Sequence, residues 1–221
     1  YLLAVWAWLR AVAGGTRIHS AFYALSLCAF AAGLLSKASG VMLPAAFLLL
    51  DAYPLRRQAL GWPRLIGEKL PHLALAGLGA GVAFWAVRQS TAVTSYGEYG
   101  LGARIAMTAY SLVFYPWKWL WPAGLSPMYE LPARIGPLAP RFLVPLVAWL
   151  FVTAALLALR RRWPAGLAAW AYSALMVLPV SGIVHAGFQL AHDRYSYLSG
   201  MGFALLAGGA LVAVLRAGAE S

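Results

Sequence analysis

A segment near the C-terminal end, Gln189-Leu190-Ala191-His192-Asp193-Arg194-Tyr195-Ser196-Tyr197, sets an imidazole, an acid, a base and two phenols within six positions, between two apolar runs. Such a group can hold an anion on the guanidinium, offer hydrogen bonds from imidazole and phenol, or take a proton on the carboxylate. Charges this close to apolar runs are costly and mark functional sites. The plainer reading is an Asp193–Arg194 pair, or a helix cap that pins a loop. A second candidate is Leu35-Ser36-Lys37-Ala38-Ser39-Gly40, a lysine in a tight break between apolar runs. It is either a snorkelling side chain or, with two hydroxyls and helix N-terminal amides, a cradle for a lipid phosphate. The third is Trp117-Lys118-Trp119-Leu120-Trp121-Pro122, followed by Met128-Tyr129-Glu130-Leu131-Pro132. Rings beside a cation and an acid can stack on a sugar or border a lipid headgroup, and the same residues can form a plain interfacial belt.

The chain has only six carboxylates. Asp51, Glu68 and Glu220 lie away from these clusters, which leaves Glu98, Glu130 and Asp193 as candidate general bases. Asp51, in Leu48-Leu49-Leu50-Asp51-Ala52-Tyr53-Pro54-Leu55-Arg56-Arg57, ends a helix and is expected to pair with an arginine or cap the next segment. His185 and His192 stand seven apart, which is no recognised zinc spacing. No metal site and no cofactor is expected. No Ser-His-Asp arrangement, Walker loop or dinucleotide fingerprint occurs.

Composition dictates what must carry these residues. Of 221 residues, 62% are hydrophobic and 10% charged, with a mean hydropathy of +0.74. Soluble domains carry about 25% charged residues, and a soluble fold of this size could not hide so much apolar surface. The expected solvent is a lipid bilayer, which excludes a cytosolic enzyme, a secreted disulfide scaffold and a disordered tail. A net charge of +11 would suggest nucleic acid in a soluble protein. Here the basic residues flank apolar runs and meet lipid phosphates, so no nucleic-acid partner is expected. The single cysteine, Cys28, can form no internal disulfide and is expected as a buried small residue.

The expected fold class is all-α: a polytopic α-helical membrane protein of about six or seven transmembrane helices plus an interfacial helix. Apolar runs predict a partial helix at 1–13 and fuller ones near 18–35, 38–53, 70–88, 141–159, 164–181 and 196–216. Residues 1–88 form N-terminal membrane helices, 89–140 an extracytoplasmic or interfacial segment, and 141–221 C-terminal membrane helices. An apolar stretch at 103–121, holding Arg104 and Lys118, reads as an amphipathic helix at the interface. Arg10, Arg17, Arg56, Arg57, Arg64, Lys69, Arg160, Arg161, Arg162 and Arg216 fall on one side of alternating spans, which the positive-inside rule makes cytoplasmic. Lys37, Arg88, Arg104, Lys118, Arg134, Arg141 and Arg194 fall on the other. The chain opens inside an apolar run without a charged leader, and reads as truncated within a first helix.

Three blocks resemble the membrane region of the transmembrane and tetratricopeptide-repeat-containing O-mannosyltransferases and their bacterial relatives. They are Ser36-Lys37 with Val41-Met42-Leu43-Pro44 and Leu48 to Leu55; Lys118-Trp119-Leu120-Trp121-Pro122 with Tyr129 and Pro132; and Leu178-Pro179-Val180-Ser181-Gly182 leading into Asp193-Arg194-Tyr195-Ser196-Tyr197-Leu198. Together they span roughly positions 35–200. The pattern departs from the family at Ala38, where proline is common, and at His192, where a small residue is usual. The resemblance implies a GT-C-type membrane glycosyltransferase that uses a polyprenyl-phosphate-linked sugar outside the cytoplasm. It implies tetratricopeptide repeats after the last helix, and a catalytic acid in a first outer loop that would precede Tyr1.

On that basis Lys37 and Arg194 are expected to hold the donor phosphate. His192, Asp193 and Tyr195 are expected to supply polar contacts, and Lys118 with the tryptophans to border the lipid or sugar. The expected function is transfer of a sugar such as mannose from a polyprenyl-phosphate donor to a hydroxyl of a protein or glycan acceptor, at the outer face of a bacterial inner membrane. The alternative is a non-catalytic membrane anchor for a tetratricopeptide-repeat interaction arm. A transporter or flippase, which predicts inverted repeats or broken helices in matched halves, ranks below both.

Overall fold

The computed structural model describes residues 1–89, 99–132, 134–183 and 189–219. The described residues are 76% helical, with almost no sheet. It divides into two compact units, Tyr1–Ala92 and Val93–Ser221.

The first unit contains α1 (Leu2–Val12), α2 (Ser20–Ser36), α3 (Leu43–Ala52), α4 (Trp62–Gly67) and α5 (Leu70–Gln89). Ala4, Trp8 and Val12 recur every fourth residue, so they share one face of α1. That face is buried with Phe30 of α2, Leu43 and Phe47 of α3 and Ala76 of α5. Prolines in the first turns of α3 and α4, Pro44 and Pro63, take positions whose missing N–H would have no helical partner. The run expected as one helix over 38–53 begins as a 3-10 turn, Ala38–Met42, and becomes α-helical at Leu43. Cys28 corrects the expectation made for it: the thiol residue is exposed. The face of α2 that packs inward carries Ser26 and Phe30, and a residue two positions from each points the other way.

The second unit contains α6 (Leu101–Leu120), α7 (Pro140–Ala158), α8 (Pro164–Val177) and α9 (Ser196–Ala219). Two short strands, β1 (Tyr129–Glu130) and β2 (Gln189–Ala191), pair antiparallel. Pro140 and Pro164 open α7 and α8. The inward face of α6 carries Ala103, Ala106, Met107, Leu112 and Tyr115, and α6 packs against α7, α8 and α9. Glycine permits the close approach of α9 to its neighbours. A Cβ on Gly202 would lie 3.0 Å from the Ala169 Cα of α8, and one on Gly200 would lie 2.7 Å from the Trp119 ring.

Two helices, Pro140–Ala158 and Asp193–Ala219, are long and apolar enough to cross a membrane. Only 11% of each apolar window is buried among the described residues. Five further apolar stretches are shorter: Leu2–Val12, Ser20–Ser36, Ser39–Ala52, Leu70–Ala86 and Pro164–Val180. The longest of these has 17 residues, a rise of roughly 25 Å against a hydrocarbon core of about 30 Å.

Candidate functional site

In the second unit the Asp-Arg-Tyr block forms a 3-10 turn, Asp193–Tyr195, that leads directly into α9. Asp193 sits there as a clasp. Its Oδ2 accepts the Ser126 backbone N–H at 2.6 Å and the Tyr129 hydroxyl at 3.0 Å. The Tyr129 oxygen in turn accepts from the Ser126 N–H at 3.1 Å and lies 2.9 Å from the Gly124 carbonyl. Its single proton serves one of its two acceptors at a time. The loop that carries the aromatic cluster onward is thereby tied to the start of α9. The other oxygen of Asp193, Oδ1, is buried without a hydrogen-bond partner.

His192 is buried beside it. Its Nδ1 meets the Pro127 carbonyl, and a carbonyl can only accept. Nδ1 is therefore the donor in this bond. The His192 N–H donates to the Tyr115 hydroxyl at 3.3 Å. Burial, the main cause, raises the Tyr115 pKa above the usual phenol value, aided by Tyr195 and Asp193 and opposed by the His192 bond. Tyr115 thus stays a neutral hydroxyl. The His192 and Tyr195 rings meet edge to face at 5.4 Å, and the Arg194 guanidinium lies 5.3 Å above the Tyr195 ring. Arg194 itself is exposed.

Lys118, near the end of α6, completes this group. Its ammonium donates to the Ala123 and Gly124 carbonyls and lies 5.3 Å from the Tyr129 ring centre and 5.7 Å from that of Phe114. Five of the six residues singled out from sequence, Lys118, His192, Asp193, Arg194 and Tyr195, therefore gather around the 121–130 loop. Trp117 and Trp121 project outward, 57% and 63% exposed. Trp119 instead lies against Gly200 and Phe203.

The sixth, Lys37, belongs to the first unit. It is an exposed, extended residue between α2 and the following 3-10 turn. Among the general-base candidates, Glu130 is exposed on β1, Asp193 is held in the clasp, and Glu98 lies outside the described residues, as does His185.

The sequence hid two further polar groups. Arg104, which reads as an outer-face cation, is buried in α6. It donates to the Tyr99 carbonyl at 3.1 Å and the Ile183 carbonyl at 3.0 Å, fastening the segments before α6 and after α8. Its spacing with Met107, Ser111 and Tyr115, all buried, was a readable signal. Next to Ile183, Gly182 has φ +104° and sits where a Cβ would be 3.0 Å from Met107, so this position requires glycine.

The second hidden group lies in the first unit. Asp51 pairs with Arg57 at 2.9 Å, as the Leu48–Arg57 motif suggests, and also with Lys69. Arg57 continues to both oxygens of Glu68, at 3.0 and 3.1 Å. Asp51 and Lys69 are fully buried, and the Lys69 ammonium lies 4.6 Å from the Trp8 ring centre. Burial alone would lower the Arg57 pKa, but bonds to Asp51 and Glu68 raise it above the ordinary value. His72, buried one turn beyond Lys69, is within 3.2 Å of the Ser26 hydroxyl.

Among the described residues, no cluster of three or more His, Cys, Asp or Glu could hold a metal ion. Comparison with protein-family models, with curated proteins and with solved structures finds no match.

Proposed function

We propose that this chain is the donor-lipid-binding part of a GT-C-type membrane glycosyltransferase. In this reading the shorter apolar helices cross the bilayer together with α7 and α9, giving about six or seven spans, and α6 lies toward the interface. The reaction moves a sugar such as mannose from a polyprenyl-phosphate carrier to a hydroxyl of a protein or glycan, at the outer face of a bacterial inner membrane.

The observation that supports this reading is the exposed Arg194. Its guanidinium rests over Tyr195, and its neighbour Asp193 is already engaged with Ser126 and Tyr129. As the bond from sugar to phosphate breaks, its electron pair stays on the phosphate, and a preorganised cation stabilises that charge. Lys118, near the end of α6, adds a second cation beside the 121–130 loop, and His192 and Tyr195 would supply polar contacts to the sugar or carrier. The group that takes the acceptor's proton is not assigned to a residue of this chain.

A second reading, a membrane anchor for an interaction arm, draws on the same loop. Lys118 already satisfies the Ala123 and Gly124 carbonyls, while Trp117 and Trp121 face outward as an interfacial belt would. The experiment that separates the two is transfer of radiolabelled sugar from polyprenyl-phosphate donors in membranes expressing the gene, wild type against Arg194→Ala. Transfer that falls at least a hundredfold at equal expression, the scale of a lost transition-state charge contact, favours the enzyme. Transfer that is unchanged in the variant, or absent from wild type with every donor, favours the anchor.

A further inference from the structure

The turn between α1 and α2 borders an open surface hollow of about 530 Å³ lined by Arg10, Arg17, His19 and Phe22, with Ala13, Gly14 and Ile18. No carboxylate lines it. The Arg10 guanidinium lies 6.0 Å from the Trp6 ring centre and 5.6 Å from that of Phe22, two rings that meet edge to face, and the His19 ring lies 5.1 Å from Phe22. These contacts orient the Arg10 cation without neutralising it. Arg64, from α4, pairs with Glu68 at 3.5 Å and donates to the Thr16 carbonyl, bracing the same turn. The hollow also borders the start of α2, whose first turn has no acid and whose cap, His19, makes no side-chain hydrogen bond. The positive end of that helix dipole is therefore unanswered by any side chain there.

We infer that this hollow binds the phosphate group of an anionic membrane lipid. Two arginines, an imidazole and a helix N-terminus converge on a space open to a single negatively charged group. The identity of the ligand as a lipid, not free phosphate, follows from the walls. The same two helices continue away from the hollow as an exposed apolar surface, with Leu2, Leu3 and Trp6 on α1 and Leu25 on α2. Acyl chains can lie along this surface while the headgroup phosphate occupies the cationic turn. The site is independent of the Arg194 group: it lies in the first unit, and its failure would leave the glycosyltransferase reading untouched.

The test uses the full chain in maltoside micelles, titrated with dioctanoyl phosphatidylglycerol, dioctanoyl phosphatidylcholine or inorganic phosphate. Native mass spectrometry counts retained lipid, and calorimetry follows phosphate. The expected result is one phosphatidylglycerol held in preference to phosphatidylcholine. Its apparent affinity should drop roughly tenfold to thirtyfold in Arg10→Gln/Arg17→Gln, and stay unchanged in Arg160→Gln/Arg161→Gln, which removes the same charge elsewhere. Arg17→Gln alone changes only an exposed side chain and should cost about fivefold, so the outcome does not depend on the double variant's folding. Equal retention by wild type and variants overturns the proposal, as does equal binding of the two lipids or an equal loss in the control variant. Inorganic phosphate that binds as tightly as phosphatidylglycerol overturns the lipid assignment.

Discussion

The Asp51–Arg57–Glu68–Lys69 group is the most demanding test of the first unit. Two acids and two bases are balanced inside it, and Asp51 and Lys69 have no exposed surface. Replacing Asp51 with Ala removes the carboxylate that both cations share. Arg57 keeps Glu68 at 3.0 Å, but Lys69 is left with a single distant contact, Glu68 at 3.5 Å, and the Trp8 ring. One buried positive charge is then uncompensated. Breaking a buried pair from one side costs about 3–5 kcal/mol, or roughly two to four powers of ten in the folding equilibrium. The companion variant, Asp51→Leu/Lys69→Met, removes both charges and fills the space. It should lie within about 1 kcal/mol of wild type, because replacing both members by apolar groups removes their desolvation penalty together with their attraction. The assay is thermal unfolding of the full chain in lipid nanodiscs, followed by near-ultraviolet circular dichroism. If Asp51→Ala unfolds with wild type, or the double variant is as damaged as the single one, the buried-pair reasoning is wrong.

Two other substitutions probe the second unit. Gly202→Ala forces a Cβ to within 3.0 Å of the Ala169 backbone and should destabilise the α8–α9 packing by about 1–3 kcal/mol, whereas Gly208→Ala, inside α9 with nothing within 4 Å, should be unchanged or stabilised by up to about 1 kcal/mol in the same melt. Arg104→Met leaves the Tyr99 and Ile183 carbonyls without the donor they now share; a loss of about 2–4 kcal/mol should appear together with faster hydrogen exchange around Ile183.

The helices were legible because apolar runs bounded by Arg, Gly and Pro leave little freedom. All seven expected stretches are helical, and the 103–121 stretch is α6 at Leu101–Leu120. The pairing of Asp51 was legible for a local reason, since an acid six residues before an arginine at a helix end has few alternatives. Its second partner was not. Lys69 is 18 residues away and sits in a stretch rich in Arg, where it reads as one more topology charge. It is buried beside Trp8, which is 61 residues distant in sequence and carries no charge. Likewise, the residue pattern of the Asp-Arg-Tyr block marked the site, but the partners of Asp193 lie 64 and 67 residues away. Nothing local connects Tyr129 or Ser126 to them. The exposure of Cys28 failed for a related reason: an apolar neighbourhood says that a helix is apolar, not which face it buries.

The adjacency of Asp193 and Arg194 first suggests mutual neutralisation, yet successive residues of a helical turn do not face each other. Asp193 turns to the loop and Arg194 to the surface, so the acid positions the segment while the base stays available. This division makes the role of Asp193 separable from that of a general base. Asn at position 193 retains a carbonyl oxygen that can accept from the Ser126 N–H and the Tyr129 hydroxyl, but it cannot take up a proton. Ala retains neither capacity. If Asp193 is a clasp, Asp193→Asn should keep sugar transfer within about threefold of wild type and lose about 1 kcal/mol, since charged acceptors contribute more than neutral ones. Asp193→Ala should lose about 2–3 kcal/mol by leaving the buried N–H and hydroxyl unpaired, and limited proteolysis should open the 121–130 loop. A general base predicts the opposite split, with transfer reduced at least a hundredfold in Asn and Ala alike while the loop in Asn stays closed. Parallel measurement of transfer and of loop cleavage in these two variants therefore distinguishes a residue that shapes the site from one that reacts in it.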